Sequence, residues 1–229
     1  MNARTACRLL VIAVLFKAST ICHADTIIKL NLGNTGPDLG MNAGGLLSTI
    51  DDGNGATTGN QDTAIEFTGF LDAANPDITS PVASFTLNGL SASGSVQQLG
   101  TLALQNFAGG QFSLFDPSNN LLLSANLTSS VLSGAIGFPG TAAVFTTAPF
   151  SPLGGSFAPL IALGSMSLSI SMTNVNSGAG LAVASNVLQP FQADASVLIA
   201  GGPWVNAPEP SALVLLAAGG LIALAARRR

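Results

Sequence analysis

From Met166 to Thr173 apolar and hydroxyl side chains alternate without a break. Met166, Leu168, Ile170 and Met172 fall on one side, and Ser167, Ser169, Ser171 and Thr173 on the other. A period of two is the spacing of a β-strand. One apolar face and one small hydroxyl face predict a strand with one side on a core and the other in water, here over Ser165–Val175. Shorter versions of the pattern predict strands over Ser84–Leu90, Gln111–Phe115 and Leu121–Leu127. Between the last two stands Asp116-Pro117-Ser118-Asn119-Asn120, a run of turn formers, so the pair reads as a β-hairpin with a loop of about five residues. Further strands are expected near Thr26–Leu32, Ala64–Leu71, Val131–Ile136, Val144–Thr147 and Ser196–Ala200. Gly, Asn, Ser, Pro and Asp separate them, and long helical periods are missing from this part of the chain. The expectation is an all-β body, a single β-sandwich or jelly roll.

The two ends break this pattern. Residues 1–24 place Arg4 and Arg8 before the apolar run Leu9–Phe16, and end in Cys22-His23-Ala24. That order is a secretory signal peptide, with cleavage expected after Ala24. At the other end, Pro208-Glu209-Pro210 precedes an apolar stretch from Ser211 to Ala226, and Arg227, Arg228 and Arg229 close the chain. Proline interrupts preceding structure, the apolar run then starts a helix, and the arginines act as a stop-transfer signal on the cytoplasmic side. Sixteen helical residues reach about 24 Å, short of a hydrocarbon core of about 30 Å. Such a marginal transmembrane helix suits a temporary anchor, with the arginines snorkelling to the interface. Gly201–Ala207 reads as a linker, and Trp204 within it either rests at the membrane interface, where Trp is favoured, or packs on the body. The expected organisation is a signal peptide at 1–24, an exported body at 25–200, a linker at 201–207 and a sorting segment at 208–229.

A Pro-Glu-Pro tripeptide, an apolar helix and a terminal arginine cluster on a chain with a signal peptide resemble the PEP-CTERM sorting signal. The resemblance covers about a tenth of the chain. It implies that Pro208, Glu209 and Pro210 form the recognition motif. It also implies that residues 211–226 are the anchor and Arg227–Arg229 the stop. The implied partner is exosortase, a membrane-embedded transpeptidase of Gram-negative bacteria that make exopolysaccharide. The implied route is transient inner-membrane anchoring with the body in the periplasm, then the cell surface or extracellular matrix. Many members have Val before the motif, whereas this chain has Ala207.

Composition narrows what the body can do. Both cysteines and the only histidine lie within residues 1–24. Residues 25–206 contain no Cys, His, Tyr or Arg, and Lys29 is their only lysine. Disulfides are excluded from this segment, and so are Cys–His and Ser–His nucleophilic sites. Zinc would lack its His and Cys ligands. Ten carboxylates face Lys29, a formal charge of −9, which argues against nucleic-acid binding. Glycoside hydrolysis needs only two carboxylates. Glu66, with Asp62 and Asp72 on the same side of an extended segment, is the candidate set, set against the plainer reading of solvated acids.

One loop suggests a cation. Asp51-Asp52-Gly53-Asn54-Gly55 opens a polar stretch that ends at Gln61-Asp62. Asp51, Asp52, Asn54 and Asp62 offer oxygen ligands of the kind calcium takes, although the spacing departs from an EF-hand loop and Asp-Gly is also an ordinary turn. The exposed strand faces carry Ser, Thr, Asn and Gln with few charges, which leaves sheet edges open to self-association. The functional expectation is a non-enzymatic exported matrix protein that touches exopolysaccharide. The alternatives are a carbohydrate-binding or adhesin module and, further off, a carboxylate-based glycan-cleaving enzyme.

Overall fold

The computed structural model describes residues 25–32, 36–50, 61–74, 82–137 and 143–203. They form an all-β body. In chain order the strands are β1 (Asp25–Leu32), β2 (Leu39–Met41), β3 (Leu46–Thr49), β4 (Gln61–Phe67), β5 (Val82–Asn88), β6 (Leu90–Leu99), β7 (Leu102–Ala108) and β8 (Gln111–Phe115). They continue as β9 (Leu121–Asn126), β10 (Ser129–Ala135), β11 (Ala143–Thr147), β12 (Ser167–Thr173), β13 (Val183–Ala184), β14 (Val187–Leu188) and β15 (Phe191–Gly201). A short helix α1 (Gly69–Ala74) follows β4, and a single 3-10 turn covers Ala158–Leu160.

Thirteen strands share one sheet, with β13 and β14 set apart as a small ribbon. The order β12-β11-β10-β7-β6-β3-β2-β15 returns to β12 through β12–β15 pairing, so these eight strands close into a barrel. A wing, β1-β4-β5-β8-β9, extends from β15. A two-sheet sandwich would leave the sheets separate; here hydrogen bonding is continuous. The cause lies in β15. At eleven residues it is long enough to pair with β12 along one edge, over Asp194–Ala200. On its other edge it pairs with β2 over Phe191–Ala193 and then with β1 over Ser196–Gly201. The sheet therefore forks at Asp194–Ala195, with the ring continuing through β2 and the wing starting at β1.

Alternation explains the core. Met166, Leu168, Ile170 and Met172 are all buried, and β15 buries Phe191, Ala193, Ala195, Val197 and Ile199. Each large apolar side chain taken from water contributes about 1.5–3 kcal/mol. One continuous core results, and phenylalanines fill it. Phe107 meets Phe145 edge-on at 6.1 Å inside the ring, and Phe85, Phe112 and Phe150 form a chain at 6.1 and 5.8 Å.

The hairpin expected at residues 111–127 is present as β8 and β9, with Asp116–Asn120 between them. The Asp116 carboxylate closes its loop, accepting from the backbone N–H of Ser118 (2.9 Å) and Asn120 (2.7 Å) and from the Asn120 amide (2.9 Å). These bonds hold the Asp116 carboxyl below its ordinary range.

Three expectations need correction. The strand expected to run to Leu71 ends at Phe67, because Gly69 takes a φ of 60° and turns the chain into α1. Leu71 on that helix is fully buried. Gly201, the expected start of the linker, is still in β15; the Ala162 N–H donates to the Gly202 carbonyl, and Pro203 bridges to Ile161. Open sheet edges are also scarcer than expected. β9, the terminal strand of the wing, is covered by Leu153–Phe157: Leu153 N donates to Ser124 O (2.8 Å), Ser124 N to Gly154 O (2.9 Å) and Phe157 N to Leu122 O (3.0 Å). Ring closure and this cover remove most of the edges that self-association would use.

Candidate functional site

The fork creates a recess. Where β15 changes partner, the Ala195 N–H faces neither β2 nor β1, and an unpaired buried N–H is costly. Asp38 supplies the partner: its Oδ2 accepts from Ala195 N at 2.6 Å. Its own backbone is tied on both sides, with Asp38 N donating to Ala193 O (2.9 Å) and Ile50 N donating to Asp38 O (2.9 Å). Pro37, with its restricted φ, leads the chain into this position. Asp38 is only 3% exposed. Burial pushes its carboxyl up from 3.8 to about 6, the Ala195 N–H pulls it back, and the nearby Asp194 carboxylate pushes it further up.

Around this fastening lies a groove of about 870 Å³. Strand register lays out its floor. Asn31 of β1, Ser196 of β15 and Ser171 of β12 form one row, and Asp194 stands beside Thr173 in the next. Pro37 and Asp38 line it on the β2 side, and Asn174, Asn176 and Ser177 line it beyond the end of β12. The last group is a turn tied to β15: Asn174, Asn176 and Ser177 all have positive φ, and Asn176 Oδ1 accepts from Gln192 N at 3.3 Å. Among the described residues that line it there is no aromatic side chain and no cation. The surface offers hydroxyls, amides and the Asp194 carboxylate, with Asp38 buried beneath them, an arrangement that can bind a polar, hydroxyl-bearing ligand and repel an anionic one.

The residues singled out from sequence do not converge here. Glu66 lies in β4, exposed, with its Oε1 2.9 Å from Lys29 Nζ across the β1–β4 pair. Asp72 lies on α1 and is exposed. The turn at Gly69 therefore ends the extended segment that was to align Glu66 with Asp72. An exposed ion pair of this kind contributes about 0–1 kcal/mol. Glu66→Gln is expected to leave the melting temperature within about 2 °C of the parent chain, as differential scanning calorimetry would show. Of the calcium candidates, Asp51, Asp52 and Asn54 lie outside the described residues, and Asp62 belongs to β4 through its backbone pairing with Ser84. Among the described residues there is no cluster of three metal-ligating side chains. Ala24, Pro208, Glu209, Pro210 and Arg227–Arg229 also lie outside the described residues, as does Trp204. Among the described residues no helix is long and apolar enough to cross a membrane.

Sequence reasoning missed Asp38 and Asp194. Gly-Pro-Asp before a short apolar triplet looks like an ordinary turn, and Asp194 sits at a polar position of an alternating strand. The feature that brings them together is the register of β15, which is too long for one pair of neighbours.

No curated protein and no solved structure gives a significant match to the chain. The C-terminal segment does match a known motif, over residues 206–229, and there the chain carries a PEP-CTERM protein-sorting motif.

Proposed function

We propose that this chain is an exported, exosortase-sorted protein whose body serves without catalysis at the cell surface or in an exopolysaccharide matrix. The sorting motif at residues 206–229 carries this reading. The motif is placed behind an acidic all-β body of the kind that suits a surface protein. Two features support the rest. Residues 25–206 lack the Cys, His and Arg from which most active sites are built. Of the carboxylates proposed for glycan cleavage, Glu66 is paired with Lys29 and Asp72 is exposed on α1, and neither lines the groove.

In this reading Pro208-Glu209-Pro210 is the recognition sequence, residues 211–226 hold the chain in the inner membrane until processing, and Arg227–Arg229 stop its transfer. Deleting residues 208–229 is expected to move the protein from the cell-surface fraction to the periplasm or medium, as read by fractionation and immunoblotting. Retention of the deleted protein at the surface overturns the reading.

A further inference from the structure

We propose that the groove at the β15 fork binds an uncharged, hydroxyl-rich glycan chain. The inference rests on the reading of the body as a matrix protein and names what that body takes up. Its geometry comes first. The row Asn31–Ser196–Ser171 crosses three neighbouring strands, about 10 Å at the usual strand spacing. Asp194 and Thr173 extend the same outward face by one more row. That length and the 870 Å³ volume leave room for a short oligosaccharide segment.

Chemistry selects the ligand. Side-chain amides both donate and accept, hydroxyls do either, and carboxylates accept twice, so the floor matches a surface of vicinal hydroxyl groups. Asp194 is the strongest acceptor there, because bonds to charged groups are worth about 1.5–3 kcal/mol. Among the described lining residues there is no Lys or Arg, and residues 25–206 carry a formal charge of −9. Polyuronates, sulfated glycans and phosphate-bearing polymers would meet the Asp194 carboxylate, with Asp38 behind it, and no compensating cation among the described lining residues. Apolar ligands would leave the amides and hydroxyls unpaired. Eight phenylalanines that might have formed a stacking platform, including Phe107, Phe112 and Phe145, are instead buried in the core. Affinity is therefore expected to be low.

The full chain, purified in mild detergent, would be run by affinity electrophoresis through gels containing a neutral glucan, mannan or galactan, or a polyuronate. At least one neutral polymer is expected to retard the chain, and the polyuronate is not. Thr173→Trp fills the floor from an exposed position and is expected to abolish the retardation, whereas Thr146→Trp, exposed on β11 outside the groove, keeps it. Asp194→Asn is expected to weaken binding about tenfold. Circular dichroism melting of each variant separates lost binding from lost folding. No retardation by any neutral polymer, undiminished retardation of Thr173→Trp, or preference for the polyuronate overturns the proposal. None of those results touches the sorting reading, which stands or falls on the localisation of the tail-deleted protein.

Discussion

Replacing Gly155 by alanine is expected to destabilise the body by about 2–4 kcal/mol and to make it aggregate at concentrations where the parent stays dispersed. Gly155 has a φ of 104°, a region that side-chain-bearing residues rarely adopt. A Cβ there would stand 2.3 Å from the Leu122 carbonyl oxygen and 2.6 Å from the Leu123 nitrogen. Both are backbone atoms of β9, so no side-chain rotation relieves the clash. The segment that Gly155 belongs to would have to lift away, and with it the bonds from Leu153 and Phe157 to β9. Phe157 is also buried and packs edge-on to Phe67 at 5.2 Å, so the damage reaches the core. Thermal unfolding together with light scattering checks this. A melting temperature within 2 °C of the parent would show that the cover is dispensable. Gly36, by contrast, has open space around its Cβ position, and its φ of 85° adds only local strain.

The second large effect is a pH dependence with an unusual sign. The Asp38 carboxyl titrates near 6 in the folded body and near 3.8 when unfolded. Between those values the folded state holds the proton more tightly, so this group's contribution to stability is greatest below about pH 4 and falls as pH rises towards about 6. A shift of this size corresponds to about 2–3 kcal/mol. Asp38→Asn keeps an oxygen for the Ala195 N–H and removes the buried charge. It is expected to raise the melting temperature at pH 7 by about 5 °C, with little change at pH 4. Asp38→Ala leaves the Ala195 N–H without a partner and is expected to cost about 1–3 kcal/mol at pH 4. Comparing each variant with the parent at both pH values isolates Asp38 from other carboxylates, such as Asp116, whose lowered value works in the opposite direction. A parent-minus-Asn difference that does not change between pH 4 and pH 7 would show that Asp38 carries no such penalty.

Strands with strict alternation were legible in the sequence, and those whose alternation misleads were not. β8 was found with its true ends, and β12 needed trimming by two residues at each end. β6 was missed because its ten residues bury only Leu90 and Val96, so it carries no period of two. β7 was missed for a different reason. Its evident apolar residues Leu102 and Leu104 face outward, and the inward set is Ala103, Gln105 and Phe107. A buried glutamine is tolerable there because the register slips between Ser93 and Gln97, and Gln105 Nε2 donates to the Ser93 carbonyl (3.2 Å) beside the slip. β2 and β3, at three and four residues, are too short to show a period at all. The all-β class was therefore readable and ring closure was not, because closure depends on one long strand finding partners far away in sequence. The candidate site was hidden by the same fact: its floor is assembled from residues 31, 171, 173, 194 and 196, which share no local pattern.

β15 imposes an order of events on folding. Its partners include Asp25 at the very start of the body and Met41 shortly after, with Gly201 and Phe191 as their opposite numbers. Such pairings enclose almost the whole body in one loop, whose closure entropy must be met before any contact rewards it. The ring cannot close, and the wing cannot join it, in a chain that stops short of Phe191. A polypeptide emerging N-terminus first thus stays open until its last strand arrives, and then both halves close on a common wall.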